Sequence, residues 1–362
     1  MANWSHLQSF RVTRLNATLF PVSEFETELY RKYNLSVVQV EAEKPGELIP
    51  QVADCDALFA ISVALPKAVI EGLSRCRVIS RLGTGTDKID VAAASRKGII
   101  VTNVPYFCTE EQAEHTMALL LALARKLPQM SQAMAEGTFS RARCQAKTNR
   151  RLSVCTLGLI GFGNSARAVA RRANGFGFRV IATRRKLNVP CREADELGVK
   201  IVSLDTLLAE SDYVSLHLPL TAETYHILNE SALRRMKHGA YLINTSRGSL
   251  VDEMALVKVL REGWLSGAGL DTFEQIDPFT EIEVPPSHPL LTLDNVILTP
   301  HIAAASVQSS QDVSLGGIQN MVSVLNGHWP PAGNIVNPDV VPRFPLIDYD
   351  ASLFEATTTT TL

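Results

Sequence analysis

An arginine in a Ser246-Arg247-Gly248 turn and a histidine in Thr299-Pro300-His301 have the most chemistry to offer in this chain. Each follows a short apolar run that reads as a β-strand, and sites in α/β proteins collect at strand ends. Histidine exchanges a proton near neutral pH. Arginine is a fixed cation that grips a carboxylate through two parallel N–H bonds and steadies charge developing on an oxygen. Reduction of a 2-oxo acid needs both. The carbonyl oxygen takes a proton as hydride reaches the carbon, and the carboxylate needs an anchor. Taken singly, His301 reads equally as a structural histidine and Arg247 as half of a surface ion pair.

A hydride donor has its own signature. Val154 to Ile160 is an apolar run that leads into Gly161-Phe162-Gly163-Asn164-Ser165-Ala166, a G-x-G-x-x-A turn before a helical pattern. The first glycine permits the tight turn, and the second lets backbone N–H groups approach a pyrophosphate at the helix N-terminus. The alternative is an ordinary glycine turn, but this one opens the longest βα series in the chain, which favours a dinucleotide. About twenty residues on, where an NAD site places Asp or Glu for the ribose hydroxyl, stand Arg184, Arg185 and Lys186. A carboxylate there would repel a 2′-phosphate, whereas a guanidinium grips one. NADP is therefore the expected cofactor, with NAD still possible and a solvated basic turn as the bland reading.

The elements that must position these residues read as alternating strands and helices. Strands are expected at 57–61, 78–81 and 99–101, with helices at 66–73 and 91–97 between them. A second series is expected at 153–160, 179–182, 200–202, 213–216, 240–244, 266–270 and 295–298, the pattern of a doubly wound parallel sheet. Between them lies a helix over 109–126, with Thr109 as its cap and Gln112 in a capping-box position. Its second half is apolar nearly all round, as in a helix buried between layers or between subunits. A last helix spans 306–325 and returns to the first domain. The tail, ending ATTTTTL, reads as disordered.

Bulk composition narrows the class. The chain has 362 residues, enough for two domains, with 46% hydrophobic residues and a net charge of −2. That charge gives no general attraction to nucleic acid or anionic membrane. No apolar run approaches the ~20 residues of a bilayer span, and the N-terminus lacks a secretion pattern. A cytoplasmic protein is expected. Six cysteines form no CxxC pair, so reduced, mostly buried thiols and no metal site are expected.

Ordered motifs carry a resemblance. Gly83-Thr84-Gly85-Thr86-Asp87-Lys88-Ile89-Asp90, then His217-Leu218-Pro219-Leu220-Thr221 with Thr224, resemble the D-isomer-specific 2-hydroxyacid dehydrogenase family. So do Ile243-Asn244-Thr245-Ser246-Arg247-Gly248, Leu270-Asp271-Thr272-Phe273-Glu274 and Thr299-Pro300-His301-Ile302-Ala303. The resemblance spans roughly residues 55 to 325. It implies a Rossmann-type domain (109–304) inserted into a smaller flavodoxin-like substrate domain (1–108 and 305–345), leaving 346–362 as the tail. It also implies a homodimer built largely on the inserted domain, and an active site in the cleft. Arg247 would be the catalytic arginine and His301 the histidine. The backbone amides of Thr84 and Gly85 would hold the substrate carboxylate. Asp271 and the Thr245–Ser246 region would hold the nicotinamide carboxamide, and His217, Pro219 and Thr224 would line the cofactor.

Two departures stand out. The family's third catalytic residue is a glutamate directly before a proline, and its position here is Ile276. A one-residue insertion would let Asp277, before Pro278, pair with His301; Glu274 is the alternative, or the carboxylate is missing. The loop Ile61-Ser62-Val63-Ala64 lacks the arginine of phosphoglycerate dehydrogenases, which points to glyoxylate, hydroxypyruvate or pyruvate. The segment His288 to Leu293 is similar to that of glyoxylate/hydroxypyruvate reductases. Rival readings are a phosphite-type or phosphonopyruvate-type dehydrogenase on the same scaffold, and a nucleotide-sensing protein resembling C-terminal-binding-protein corepressors.

Overall fold

The computed structural model describes residues 4–42, 44–279 and 285–354. The chain divides into two compact units, Met1–Phe107 with Ser306–Leu362, and Cys108–Ala305. No helix among the described residues is long and apolar enough to cross a membrane.

The first unit is built on a parallel five-stranded sheet of β1 (Val12–Leu15), β2 (Val37–Val40), β3 (Ala57–Ala60), β4 (Val78–Arg81) and β5 (Ile100–Thr102). The order β2-β1-β3-β4-β5 is that of a flavodoxin-like sheet. Sequence reading found β3, β4 and β5 and missed β1 and β2. β1 is VTRL, entirely buried, with a charged residue in its middle. Arg14 is tolerated there because its Nε donates to the buried Glu26 at 2.7 Å. β2 is an edge strand, half exposed, so it shows no apolar run. The helix Val307–Leu325 packs on β3 and β4, begins with a Ser306–Ser309 capping box, and buries Ile318, Met321 and Val322. The tail expected to be unstructured from 346 is instead ordered as far as Phe354. Ile347 N–H donates to Gly327, and Phe354 packs against Trp4 and Tyr33 because aromatic residues interrupt the polar run. The rest of that expectation, 355–362, lies outside the described residues.

The second unit carries seven parallel strands: β6 (Thr156–Ile160), β7 (Arg179–Thr183), β8 (Lys200–Ile201), β9 (Tyr213–Leu216), β10 (Tyr241–Asn244), β11 (Gly267–Leu270) and β12 (Val296–Leu298). Their order is β12-β11-β10-β9-β6-β7-β8. The direction of winding reverses between β6 and β9, the switch point where doubly wound sheets bind ligands beyond the strand C-termini. The helix Thr109–Arg125 packs on the helix Asn164–Gly175 and on β10 and β11. Its capping differs from expectation. Cys108 is the N-cap, no side chain caps it, and the Gln112 amide reaches across to donate to Thr245 O at 2.9 Å. Long-range use of that amide replaces the local box. Of the six cysteines, all free, Cys55, Cys76 and Cys155 are buried and Cys144 is exposed.

Candidate active site

Six strand ends along one edge of the seven-stranded sheet carry the chemistry-bearing residues. At the end of β6, Gly161 turns with φ +96°, and a Cβ there would overlap the carbonyl oxygen of His217. The close approach requires glycine twice over, by conformation and by space. Gly163 is the N-cap of the helix Asn164–Gly175; no side chain caps that end, and a Cβ on Gly163 would meet nothing within 4 Å. The N–H groups of the first turn therefore face an open cradle that fits a diphosphate. Phe162 is partly buried on the core, and Ala166 is fully buried, letting helix and sheet pack closely.

His217, after β9, is buried and linked to both neighbours: its Nδ1 lies 3.2 Å from Ser165 Oγ and its Nε2 3.0 Å from Ser215 Oγ. Burial pulls its pKa down to about 4, so the ring is neutral at pH 7. It braces the glycine-turn helix against β9. The Pro219–Thr224 turn closes on itself, with the Thr224 hydroxyl donating to Pro219 O at 2.7 Å and accepting from Thr221 N at 2.8 Å. Arg184 follows β7 directly and is half-buried; Arg185 is exposed and lies near Glu223. No carboxylate of the described residues pairs with Arg184.

After β10, Thr245 and Ser246 are buried. Thr245 Oγ1 lies 2.9 Å from Thr116 Oγ1, and Ser246 Oγ donates to Leu216 O at 2.7 Å. Asn244 donates from its side chain to Arg247 O at 2.8 Å, and Arg247 Nη1 donates to Ser246 O at 2.7 Å. The arginine is thus set on a stiff turn. Gly248 lies so close to the Phe273–Glu274 peptide that any Cβ would overlap it, which clasps the arginine turn onto the loop after β11.

Asp271, the first residue after β11, is fully buried. Its Oδ1 accepts from Thr299 Oγ1 at 2.6 Å and Ile302 N at 2.9 Å, and its Oδ2 from Ala303 N at 2.8 Å. His115 Nε2 meets Thr299 Oγ1 at 2.9 Å. Those bonds fix the loop holding His301, whose backbone is left-handed at φ +57° and whose N–H donates to Thr299 O at 2.9 Å. A non-glycine residue in that region costs of order 1–3 kcal/mol and persists only where its surroundings impose it. Here Asp271 imposes it.

Asp277 Oδ1 accepts the backbone N–H of Phe279 at 2.9 Å, capping its own turn. Glu274 pairs with His226, at 2.9 Å from Nε2. The His301 ring lies 4.9 Å from that of Phe279. The His226–Glu274 pair escaped sequence reading, as did Glu253, a buried carboxylate accepting the N–H groups of Glu274 and Gln275 at 2.6 and 3.2 Å. Only their spacing around the motifs could have flagged them.

In the first unit, Thr84 and Gly85 lie in the loop after β4, with Gly83 at φ +146°. The Thr84 hydroxyl donates to Val104 O at 3.2 Å. Arg81, not singled out from sequence, places its guanidinium against Gly83, 2.6 Å from where a Cβ would stand.

Comparison with known proteins agrees with this picture. A family profile described as D-isomer specific 2-hydroxyacid dehydrogenase, NAD binding domain, matches residues 117–303. A glyoxylate reductase of Korarchaeum cryptofilum is 42% identical over 299 residues, 81% of this chain and 86% of that protein. Among solved structures, a D-lactate dehydrogenase from Aquifex aeolicus, complexed with NAD and lactic acid, superposes with a TM-score of 0.80 at 30% identity, covering 92% of this chain and 100% of its own. An NADPH-dependent glyoxylate/hydroxypyruvate reductase from Sinorhizobium meliloti, in complex with NADP and malonate, gives 0.77 at 29%, covering 93% and 100%.

Proposed function

Because the chain belongs to the D-isomer-specific 2-hydroxyacid dehydrogenases, enzymes that use a nicotinamide cofactor, we propose that it reduces a small 2-oxo acid such as glyoxylate, hydroxypyruvate or pyruvate with NADPH. The observation that carries this reading is the bracing of His301 and Arg247 around one buried carboxylate. Asp271 accepts N–H bonds from Ile302 and Ala303, and the loop it begins is clasped to the arginine turn through Gly248. His301, after β12, and Arg247, after β10, thereby flank the Asp271 loop after β11, a placement that suits a proton donor and a carboxylate anchor.

In this mechanism the Arg247 guanidinium takes the substrate carboxylate and orients the carbonyl. The resemblance adds the amides of Thr84 and Gly85 as a second hold on that carboxylate. The bound reduced nicotinamide supplies the hydride. His301 donates a proton to the carbonyl oxygen as negative charge develops there, and takes it back in the reverse direction. The glycine-turn helix would hold the diphosphate, and Arg184 the 2′-phosphate that distinguishes NADPH. Asp271, with both oxygens already bonded internally, serves first to set the His301 loop. Its notional hold on the carboxamide is second to that.

We also propose a homodimer. The helices Leu127–Glu136 and Phe139–Ala146 enclose an apolar groove lined by Met130, Met134, Phe139 and Ala142, with Met134 68% and Phe139 44% exposed. Such a patch on the inserted unit fits a second copy of the chain. The experiment for the activity is turnover of NADPH and NADH with each acid in parallel. NADPH oxidation lost in His301→Asn supports the reading, and inertness with every acid defeats it.

A further inference from the structure

The first unit builds an anion-receiving loop whose backbone is aimed by side chains that nothing so far has assigned. From Leu82 to Gly85 every carbonyl is engaged. Leu82 O accepts Arg81 Nη1, Gly83 O accepts Val104 N at 3.1 Å, Thr84 O accepts Asn103 Nδ2 at 2.7 Å, and Gly85 O accepts Arg81 Nε at 3.0 Å. Peptide carbonyls and N–H groups point in opposite senses. Engaging the Gly83 and Thr84 carbonyls therefore turns the N–H groups of Thr84 and Gly85 the other way, and neither meets a protein acceptor among the described residues. Two successive amides aimed outward form a nest for an oxyanion. The braces are themselves anchored. Asn320, fully buried on the helix Val307–Leu325, donates to Asn103 O at 3.0 Å and accepts from Asn334 Nδ2 at 2.9 Å, while Asn334 O accepts Asn103 N at 2.9 Å. Gly83 is the residue that lets the Arg81 guanidinium lie against the loop, since a side chain there would collide with it.

We propose that Arg81 and Asn103 are positioning residues for substrate binding. They hold the Thr84 and Gly85 amides in the orientation that receives the carboxylate of a 2-oxo acid, and Arg81 adds a fixed positive charge beside the nest. This rests on the reading of the enzyme as a 2-oxo acid reductase, but it makes a separate claim about anion binding. The orientation is set before substrate arrives, so the braces act on substrate affinity and not on the proton transfer.

The test is the pair Arg81→Gln and Arg81→Lys with Asn103→Ala, each assayed for KM and kcat with glyoxylate, for NADPH affinity, and for binding of oxamate, an unreactive carboxylate, by calorimetry. Arg81→Gln and Asn103→Ala are expected to raise KM and weaken oxamate about tenfold or more, with kcat within about twofold and NADPH affinity unchanged. Arg81→Lys, which keeps the charge but loses the fork, is expected to fall between. If wild type binds oxamate and the variants do not, yet wild type turns over no 2-oxo acid, the loop assignment stands and the reductase reading falls. Oxamate that fails to bind wild type, variants with unchanged KM and oxamate affinity, or equal losses in KM, kcat and NADPH affinity would each overturn the assignment.

Discussion

At the scale of single residues, His301 sits in a backbone conformation that asparagine also tolerates. His301→Asn should therefore keep the fold and lose the group proposed to donate the proton. A fall in kcat of about 10²–10⁴ is expected, with the melting temperature shifted by no more than a few degrees; steady-state kinetics beside a melting curve would check both. Arg184 has no carboxylate neighbour among the described residues, so its charge is available to a 2′-phosphate. Arg184→Ala should raise the KM for NADPH about 10–100-fold, the weight of one or two charge-assisted bonds, while leaving that for NADH within about threefold. Equal effects on both cofactors would remove the basis for expecting NADPH.

At the scale of elements, turns and braces decide what the strands present. Gly161→Ala would force a Cβ onto the His217 carbonyl at a positive φ, and should destabilise the protein by about 3 kcal/mol or more, read from chemical denaturation. His217 makes stability depend on pH. Its pKa is about 4 in the folded protein and near 6.5 in the unfolded chain, so the unfolded state binds the extra proton between those values. Stability is then full above about pH 6.5 and falls toward pH 4, by up to about 3 kcal/mol from this group. Denaturation of His217→Gln at pH 7.5 and pH 5 should show a smaller loss on acidification than wild type.

The legibility of these elements from sequence follows their physics. All seven strands of the second unit could be read because each is a buried apolar run between turn residues, and the glycine turn because its spacing answers to a steric need at Gly161. β1 was hidden by Arg14, whose partner Glu26 lies on a different element, and β2 by its edge position. Arg247, His301 and Asp271 stood out as types in motifs. Their bracing by Gln112, Gly248, His115 and Thr299 is tertiary and leaves no local pattern. The same holds for Asp277 and Glu274. Proximity to a proline favoured one and sequence neighbourhood the other, while a backbone N–H and His226 claimed them.

At the scale of the whole molecule, the proposed homodimer rests on the exposed apolar groove between the helices Leu127–Glu136 and Phe139–Ala146. Met134→Glu with Phe139→Glu should turn a dimer into a monomer by sedimentation, because two buried charges at a symmetric interface become four. A wild type that sediments as a monomer would rule out the dimer.

The most direct test of the central claim is the initial rate of NADPH and NADH oxidation against glyoxylate, hydroxypyruvate and pyruvate, with wild type and His301→Asn side by side. Turnover of at least one acid, faster with NADPH and abolished by the substitution, is the expected result. Turnover that survives the loss of His301, or none with any acid despite tight binding of the nucleotide, would contradict it.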